Sequence, residues 1–460
     1  MAAGGRSSLT QRAGRAGRET TPNSIKPLYK RLPHGPHRLD RDQVILHQRA
    51  RIHGAMVEAV AECGYENTSV KQVISLAGVS RRSFYEQFAN KQESFLATFD
   101  LLAHQTAQRS RTAYVTADGG LEERLGAAFG QLAATARDER KPTILVMLEA
   151  QTAGPPGTMR LCKGIATCEQ MLSLSFADDP HADPLPTPIV RAIAGGLHGA
   201  ASQVIRRGPV ENSAHLAEEM LRWTMLFQAP AAAQLADRLA PRLSQRMREI
   251  STMGTRAPVE AEAASADDRE LLMQNALRLA TMHEYRELTA PQIADEAGLS
   301  IDVFLQHFAG KNECYVAAFD MIGEDLLALV ASPELTSTSD WPRAVRRTVA
   351  RLMRDLAEQP LHARTIAQEA FFAGGDAVRR DLALARGIAT LLTEGAPGPA
   401  PSAFTLDGIA GAIWHTIRCQ VASGRIQLLD ALSDYVSYIV LTPFIGGREA
   451  SEIVTEEPPV

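Results

Sequence analysis

The stretch AGVSRRSFYEQFANKQESF, Ala77–Phe95, returns later in the chain as AGLSIDVFLQHFAGKNECY, Ala297–Tyr315. A shift of 220 positions carries the match on without a gap. It lays Tyr65 on Tyr285, Gln72 on Gln292, Gly78 on Gly298, Ser80 on Ser300, Phe84 on Phe304, Phe88 on Phe308, Lys91 on Lys311 and Asp100 on Asp320. Toward the end of each half, IAGGLHGAASQVIRRG (Ile193–Gly208) resembles IAGAIWHTIRCQVASG (Ile409–Gly424) at a shift of 216. A period this long is the duplication of a whole two-part unit, not a short stacking repeat.

Each copy of the frame is written in helix punctuation. In the first, Ile45, Ile52, Met56, Val60 and Cys63 fall on one helical face from Asp42 onward, and Gly64 reads as a carboxyl cap. Ser69 and Gln72 form a capping box for a short second helix ending near Ala77. A Gly-Val-Ser turn follows, with Ser80 placed to cap a third short helix, and Asn90 with Glu93 forms another capping box that starts a longer fourth. Two short helices joined by a tight turn containing glycine, the second opening on Arg81 and Arg82, have the pattern of a helix-turn-helix.

The rest of the chain fits an all-α protein. Its 460 residues are 45% hydrophobic but only 5% aromatic, with no period-two runs of β-branched residues. Beyond about residue 120 longer amphipathic helices alternate with breaks at KPT, AGPPG, DDPHADPLPTP and RRGP. The expected organisation is a disordered basic arm over 1–40, a helix-turn-helix domain over 41–103 and a helical bundle over 104–228. A linker with a candidate helix then covers 229–265, a second head domain 266–323, a second bundle 324–447 and a disordered tail 448–460.

Charge is unevenly spread. The net charge is −5, yet before residue 55 the chain holds Arg6, Arg12, Arg15, Arg18, Lys26, Lys30, Arg31, Arg38, Arg41, Arg49 and Arg51 against Glu19, Asp40 and Asp42. Such an arm is drawn to polyanions whatever the overall sum. Five scattered cysteines without Cys-x-x-Cys spacing suit a reducing cytoplasm. No signal-peptide pattern or long apolar run points to secretion or a membrane.

The segment HQRARIHGAMVEAVAECGYENTSVKQVISLAGVSRRSFYEQFANKQESFLATFD resembles the amino-terminal domain of TetR-type transcriptional regulators. The resemblance implies a cytoplasmic, non-enzymatic repressor that binds a double-stranded operator, dimerises through its last two helices and releases DNA when a small-molecule effector binds. Carried onto this chain, it places Ser80, Arg81, Arg82 and Ser83 at the opening turn of the recognition helix. Arginine there offers paired donors to guanine O6 and N7. It places Tyr85 and Lys91 at phosphate-contacting positions, with Ser69 and Lys71 at the start of the preceding helix toward backbone oxygens. Phe84 and Phe88 belong to the core.

The second copy departs from the first where DNA would be met: Ile301, Asp302, Val303, Leu305 and Pro291 replace Arg81, Arg82, Ser83, Tyr85 and Lys71. An aspartate at that turn meets phosphate charge uncompensated, so the second head reads as a structural relic. Lys311 reads as a leftover solvated lysine.

Other classes find less support. AIAGGLHGA lies in an apolar helical pattern with no strand before it, which favours close helix packing over a phosphate loop. Cys162, Cys168, His181 and His198 match no metal-ligand spacing. No catalytic, cofactor or metal residue is therefore expected. A non-specific DNA-binding or protein-interaction module without effector is the alternative, and a discrete footprint would separate it from a regulator. His198, Trp414 and His415, with Gln203, Arg418 and Gln420 nearby, are candidate pocket residues or satisfied core. Both halves carry dimerisation-type helices, at about 188–228 and 404–446. The expectation is an intrachain pseudo-dimer, with two chains meeting only on a palindrome.

Overall fold

The computed structural model describes residues 41–178, 185–227, 231–253, 267–282, 288–336, 340–369 and 375–456. The arm expected over 1–40 lies outside them, as do 229–230 and 254–265 of the connector. All regular structure among the described residues is helical.

The first unit opens with α1 (Arg41–Asn67), α2 (Val70–Ala77), α3 (Arg81–Tyr85) and α4 (Lys91–Thr116). Ile52, Met56 and Val60 of α1 are buried, but Ile45 is 39% exposed because the first turn projects past the core. Gly64 breaks α1 at φ 76°, ψ 162°, and one more turn follows it instead of a clean stop. The carbonyls freed there are taken up locally: Asn67 donates to Cys63 O at 3.0 Å and Thr68 Oγ1 to Gly64 O at 2.8 Å. The Ser69–Gln72 capping box opens α2, and Gly78 closes it in the left-handed region at φ 59°. Ser80 Oγ accepts from Ser83 N at 3.0 Å to start α3. Asn90 caps α4 by accepting from Glu93 N, but the Glu93 carboxylate accepts from Ala89 N, one residue before the position a capping box requires.

The bundle of this unit is α5 (Leu121–Asp138), α6 (Arg140–Met147), α7 (Pro155–Asp178), α8 (Thr187–Arg207) and α9 (Ser213–Met225). The connector helix α10 (Ala231–Met253) runs through Pro241 and buries Leu235 and Leu239. The second unit repeats the plan as α11 (Asp268–Met282), α12 (Ala290–Glu296), α13 (Ile301–His307), α14 (Lys311–Val330), α15 (Trp341–Glu358), α16 (Pro360–Arg364), α17 (Gly375–Thr393), α18 (Ala403–Ala422) and α19 (Ser433–Thr455). Connector and second unit meet where α10 packs on α19, with Arg238 donating to Thr455 Oγ1 at 3.2 Å.

The likeness of the units reaches single interactions. Thr289 and Gln292 rebuild the capping box, Ser300 caps α13, and Gly298 takes φ 70°. Beyond the heads, Arg160 pairs with Asp100 at 3.0 Å to join α7 to α4, and Arg380 pairs with Asp320 to join α17 to α14. Both members of that second pair stand 220 residues after the first, so the duplication extends into the bundles.

The tail expected over 448–460 is corrected in part. Residues 448–455 continue α19, because Ala450 and Val454 are fully buried and Ile453 nearly so. Length and composition alone would let Ile426–Thr455 cross a membrane, at mean hydropathy 1.3, but most of it is covered by the rest of the protein, as befits a core helix.

The broadest contact between the halves is α8 against α18. A Cβ on Gly199 would stand 2.7 Å from Gly411 Cα, and one on Gly411 would stand 2.8 Å from Gly195 O. The backbones approach so closely that only glycine fits, which is the packing role expected for AIAGGLHGA.

Candidate DNA-reading interface

The second helix of the first helix-turn-helix, α3, is held in place by interactions made well away from it in sequence. Arg51 of α1 is 8% exposed and donates to Ala77 O and, at 2.6 Å, to Gly78 O, which fixes the turn between α2 and α3. Below the turn, Phe84 and Phe88 are buried and their rings lie 5.8 Å apart. His53 meets Phe88 edge-on and shares a 2.8 Å hydrogen bond between Nδ1 and Thr98 Oγ1. Burial, reinforced by Arg49, holds its imidazole down to about 4, so it is a neutral core group near neutral pH.

On this base the outward face carries Ser80, Arg81, Arg82 and Tyr85, all exposed, with Ser83 half-buried. Ser80 and Ser83 share a 2.8 Å hydroxyl hydrogen bond, so both are engaged in the cap. The Arg81 guanidinium lies 5.7 Å from the Tyr85 ring centre. Arg82 donates from Nε to Glu86 Oε1 at 2.8 Å, and that hydrogen bond and charge raise its already high pKa. Lys71 is exposed on the first turn of α2, where Ser69 is occupied by its capping box.

Lys91 stands apart from this group. Its Nζ donates to Tyr65 O at 2.9 Å and to Glu66 O at 3.3 Å, and lies 4.2 Å from the Tyr65 ring centre. It therefore ties the end of α1 to the start of α4 instead of reaching freely outward. Lys311 does the same work: its Nζ donates to Leu288 O at 2.6 Å, and burial lowers its pKa. The expectation of a leftover solvated lysine is corrected, since Lys311 is half-buried and serves the fold.

The second head keeps the scaffold and changes the face. Phe304 and Phe308 are buried with rings 5.7 Å apart, while Asp302 and Leu305 are exposed where Arg82 and Tyr85 stand in the first. Across Ser69–Phe88 the charged residues are Lys71, Arg81 and Arg82 against Glu86. Across Thr289–Phe308 they are Asp295, Glu296 and Asp302 with no Lys or Arg, so the two faces differ in sign.

His198 and His415 lie between the halves, whereas Trp414 faces α17 of its own unit. His415 is 4% exposed and packs on Gly195, and Trp414 donates from Nε1 to Asp381 at 2.6 Å. Burial holds His198 down to about 4 and His415 down to about 3. An open surface depression of about 450 Å³ lies elsewhere, at Asn90, Glu93, Leu96, Asp100 and Arg160, where head meets bundle. The sequence reading left out Glu86, the partner of Arg82, and counted Arg51 among the cations of the arm, which is corrected because Arg51 is buried and bound to backbone carbonyls. The i, i+4 spacing of Arg82 and Glu86 was a legible signal, whereas nothing local marks Arg51.

The geometry defines a helix-turn-helix protein with the motif built twice. The sequence profile of "Bacterial regulatory proteins, tetR family" matches at both places, residues 54–98 and 272–318. The chain thus carries two TetR-like units, with the likeness seated in its two heads. No curated protein matches its sequence. Solved structures similar to it include the fatty acid degradation regulator FadR from Bacillus halodurans, 18% identical over 38% of this chain and 96% of that one, at TM-score 0.34. Another is the regulator FadR from Bacillus subtilis in complex with stearoyl-CoA, 17% identical over 38% and 96%, at 0.35. A TetR family regulator from Marinobacter aquaeolei VT8 is 19% identical over 38% and 93%, at 0.30. The likeness to that family rests on the two profile matches, which cover the heads.

Proposed function

We propose that the chain is a cytoplasmic, sequence-specific transcriptional repressor that reads operator DNA through its first head and releases it on binding a small effector in a helical bundle. The observation that carries this reading is the contrast between two equivalent helices. In α3 Arg81 and Arg82 stand exposed, and in α13 Ile301 and Asp302 take their places on the same scaffold. The residues named as contacts are Ser69, Lys71, Ser80, Arg81, Arg82, Ser83 and Tyr85, with Lys91 acting as a clamp behind them. The close α8–α18 contact supports pairing of the two halves within one chain, which leaves a single competent head per chain and requires two chains on a palindrome.

Footprinting with the full chain tests the reading. A discrete protected site is expected, lost when Arg81 and Arg82 are both changed to Ala, at about 1–3 kcal/mol for each bidentate contact removed. Asp302→Ala should leave the site protected. Smeared protection, or loss of binding in Asp302→Ala alone, would refute it. Light scattering of the unliganded chain should give the mass of one chain, 49.8 kDa.

A further inference from the structure

α8 and α18 occupy the same place in their units, and the shift of 216 sets Arg191 on Asp407, Ala192 on Gly408, Gly199 on His415 and Arg207 on Ser423. Their contact follows a local two-fold exchange: Gly195 meets His415, and Gly199 meets Gly411. Because the equivalent positions hold different residues, like and unlike pairings are not chemically the same surface.

Charge distinguishes them first. Arg207 donates from Nη2 to Asp407 Oδ2 at 2.5 Å across the halves, and the Asp407 side chain is only 2% exposed. Its other oxygen lies 3.1 Å from Arg386 of its own unit. Two first units meeting in this register would set Arg207 against Arg191, whose own carboxylate partner, Glu169, is already engaged at 3.1 Å, so Arg207 would meet a cation where Asp407 now stands. Two second units would set Ser423 opposite Asp407 and take one of two cations from a buried carboxylate.

Shape distinguishes them as well. The Trp223 ring, fixed by a 3.2 Å hydrogen bond from Nε1 to Ile193 O in its own unit, lies on Gly408 of the other. A Cβ at that position would stand 2.9 Å from the ring. The first unit has Ala192 there, so a second α8 brings that Cβ into the tryptophan. Nearby, Ser402 Oγ donates to Glu219 Oε2 at 3.2 Å across the halves, and Pro186, which stands at the equivalent cap, has no hydroxyl to offer.

We infer that the α8 surface is selective for its partner: it accepts α18 and rejects a second α8, through the Arg207–Asp407 pair and the seating of Trp223 on Gly408. This rests on the reading that the halves pair within the chain, and adds that side chains, not the tether alone, choose the partner. The consequence is a regulator that stays one chain where duplicated halves could cross-pair into chain-to-chain polymers.

The test compares full-length wild type with Arg207→Asp by light scattering and far-ultraviolet circular dichroism. Arg207→Asp sets Asp against Asp407 in the unlike pair and against Arg191 in the like pair. Two-chain species should therefore appear at concentrations about tenfold or more below those needed by wild type, with helical signal unchanged. A variant that keeps both one-chain mass and helical signal overturns the inference. If Arg207→Asp loses helical signal, Gly408→Ala decides on the same instruments. A two-chain mass or enlarged hydrodynamic radius supports selectivity, and wild-type values overturn it. A wild type that is already a two-chain dimer at nanomolar concentration sinks the intrachain pairing itself, a separate outcome.

Discussion

Arg82 is held by its own helix: its Nε donates to Glu86 Oε1 at 2.8 Å, one turn along, with both side chains in solvent. The proposed base contact by Arg82 would therefore be made in competition with Glu86, whose carboxylate would also oppose phosphate. Glu86→Gln keeps the shape and removes the charge. Affinity for DNA should rise about two- to fivefold, the scale of one exposed ion pair, in a titration at fixed salt. A fall in affinity would show that Glu86 itself serves the complex.

The two clamp lysines separate stability from DNA binding. Lys91→Met and Lys311→Met each remove an ammonium from backbone carbonyls and should each cost about 1–3 kcal/mol in denaturant unfolding. Lys311→Met should do so without changing DNA affinity. Equal stability of Lys91→Met and wild type would return Lys91 to a pure phosphate-contacting role.

The basic arm makes a prediction about salt. Removing residues 1–38, which include Arg6, Arg12, Arg15, Arg18, Lys26, Lys30, Arg31 and Arg38, should weaken binding to every sequence alike and flatten the dependence of affinity on salt. Identical slopes before and after truncation would show that the arm makes no phosphate contact.

Acid should loosen the protein in a defined window. His53 and His198 are held down to about 4 and His415 to about 3, mainly by burial. The unfolded chain takes up these protons near 6.5 and the folded one does not. The stability they contribute is present above about pH 6.5 and lost as pH falls toward 4, on the order of a few kcal/mol. His415→Gln should make the pH dependence of unfolding shallower over that window. A profile identical to wild type would mean His415 is solvated in the native state.

By itself the sequence determined the heads. Ser69 with Gln72, Ser80 with Ser83, and Asn90 with Glu93 act three residues apart, and Gly78 takes its left-handed turn beside its own helix. Interactions this local are fixed by spacing, so the helices, the turn and the repeat could be read from the letters. Where a neighbour arrives from far along the chain, the letters were insufficient. Lys91 read as a phosphate-contacting position, and only the fold brings Tyr65 O, 26 residues back, to its ammonium. The end of α19 read as a polar tail until burial of Ala450 and Val454 made helix the stable state. Arg207 and Asp407 are 200 residues apart, and only packing of α8 on α18 joins them. Hydrogen-bond geometry along a helix is encoded within a turn, whereas desolvation and charge pairing depend on which surfaces meet, and that is settled only when the whole chain has closed on itself.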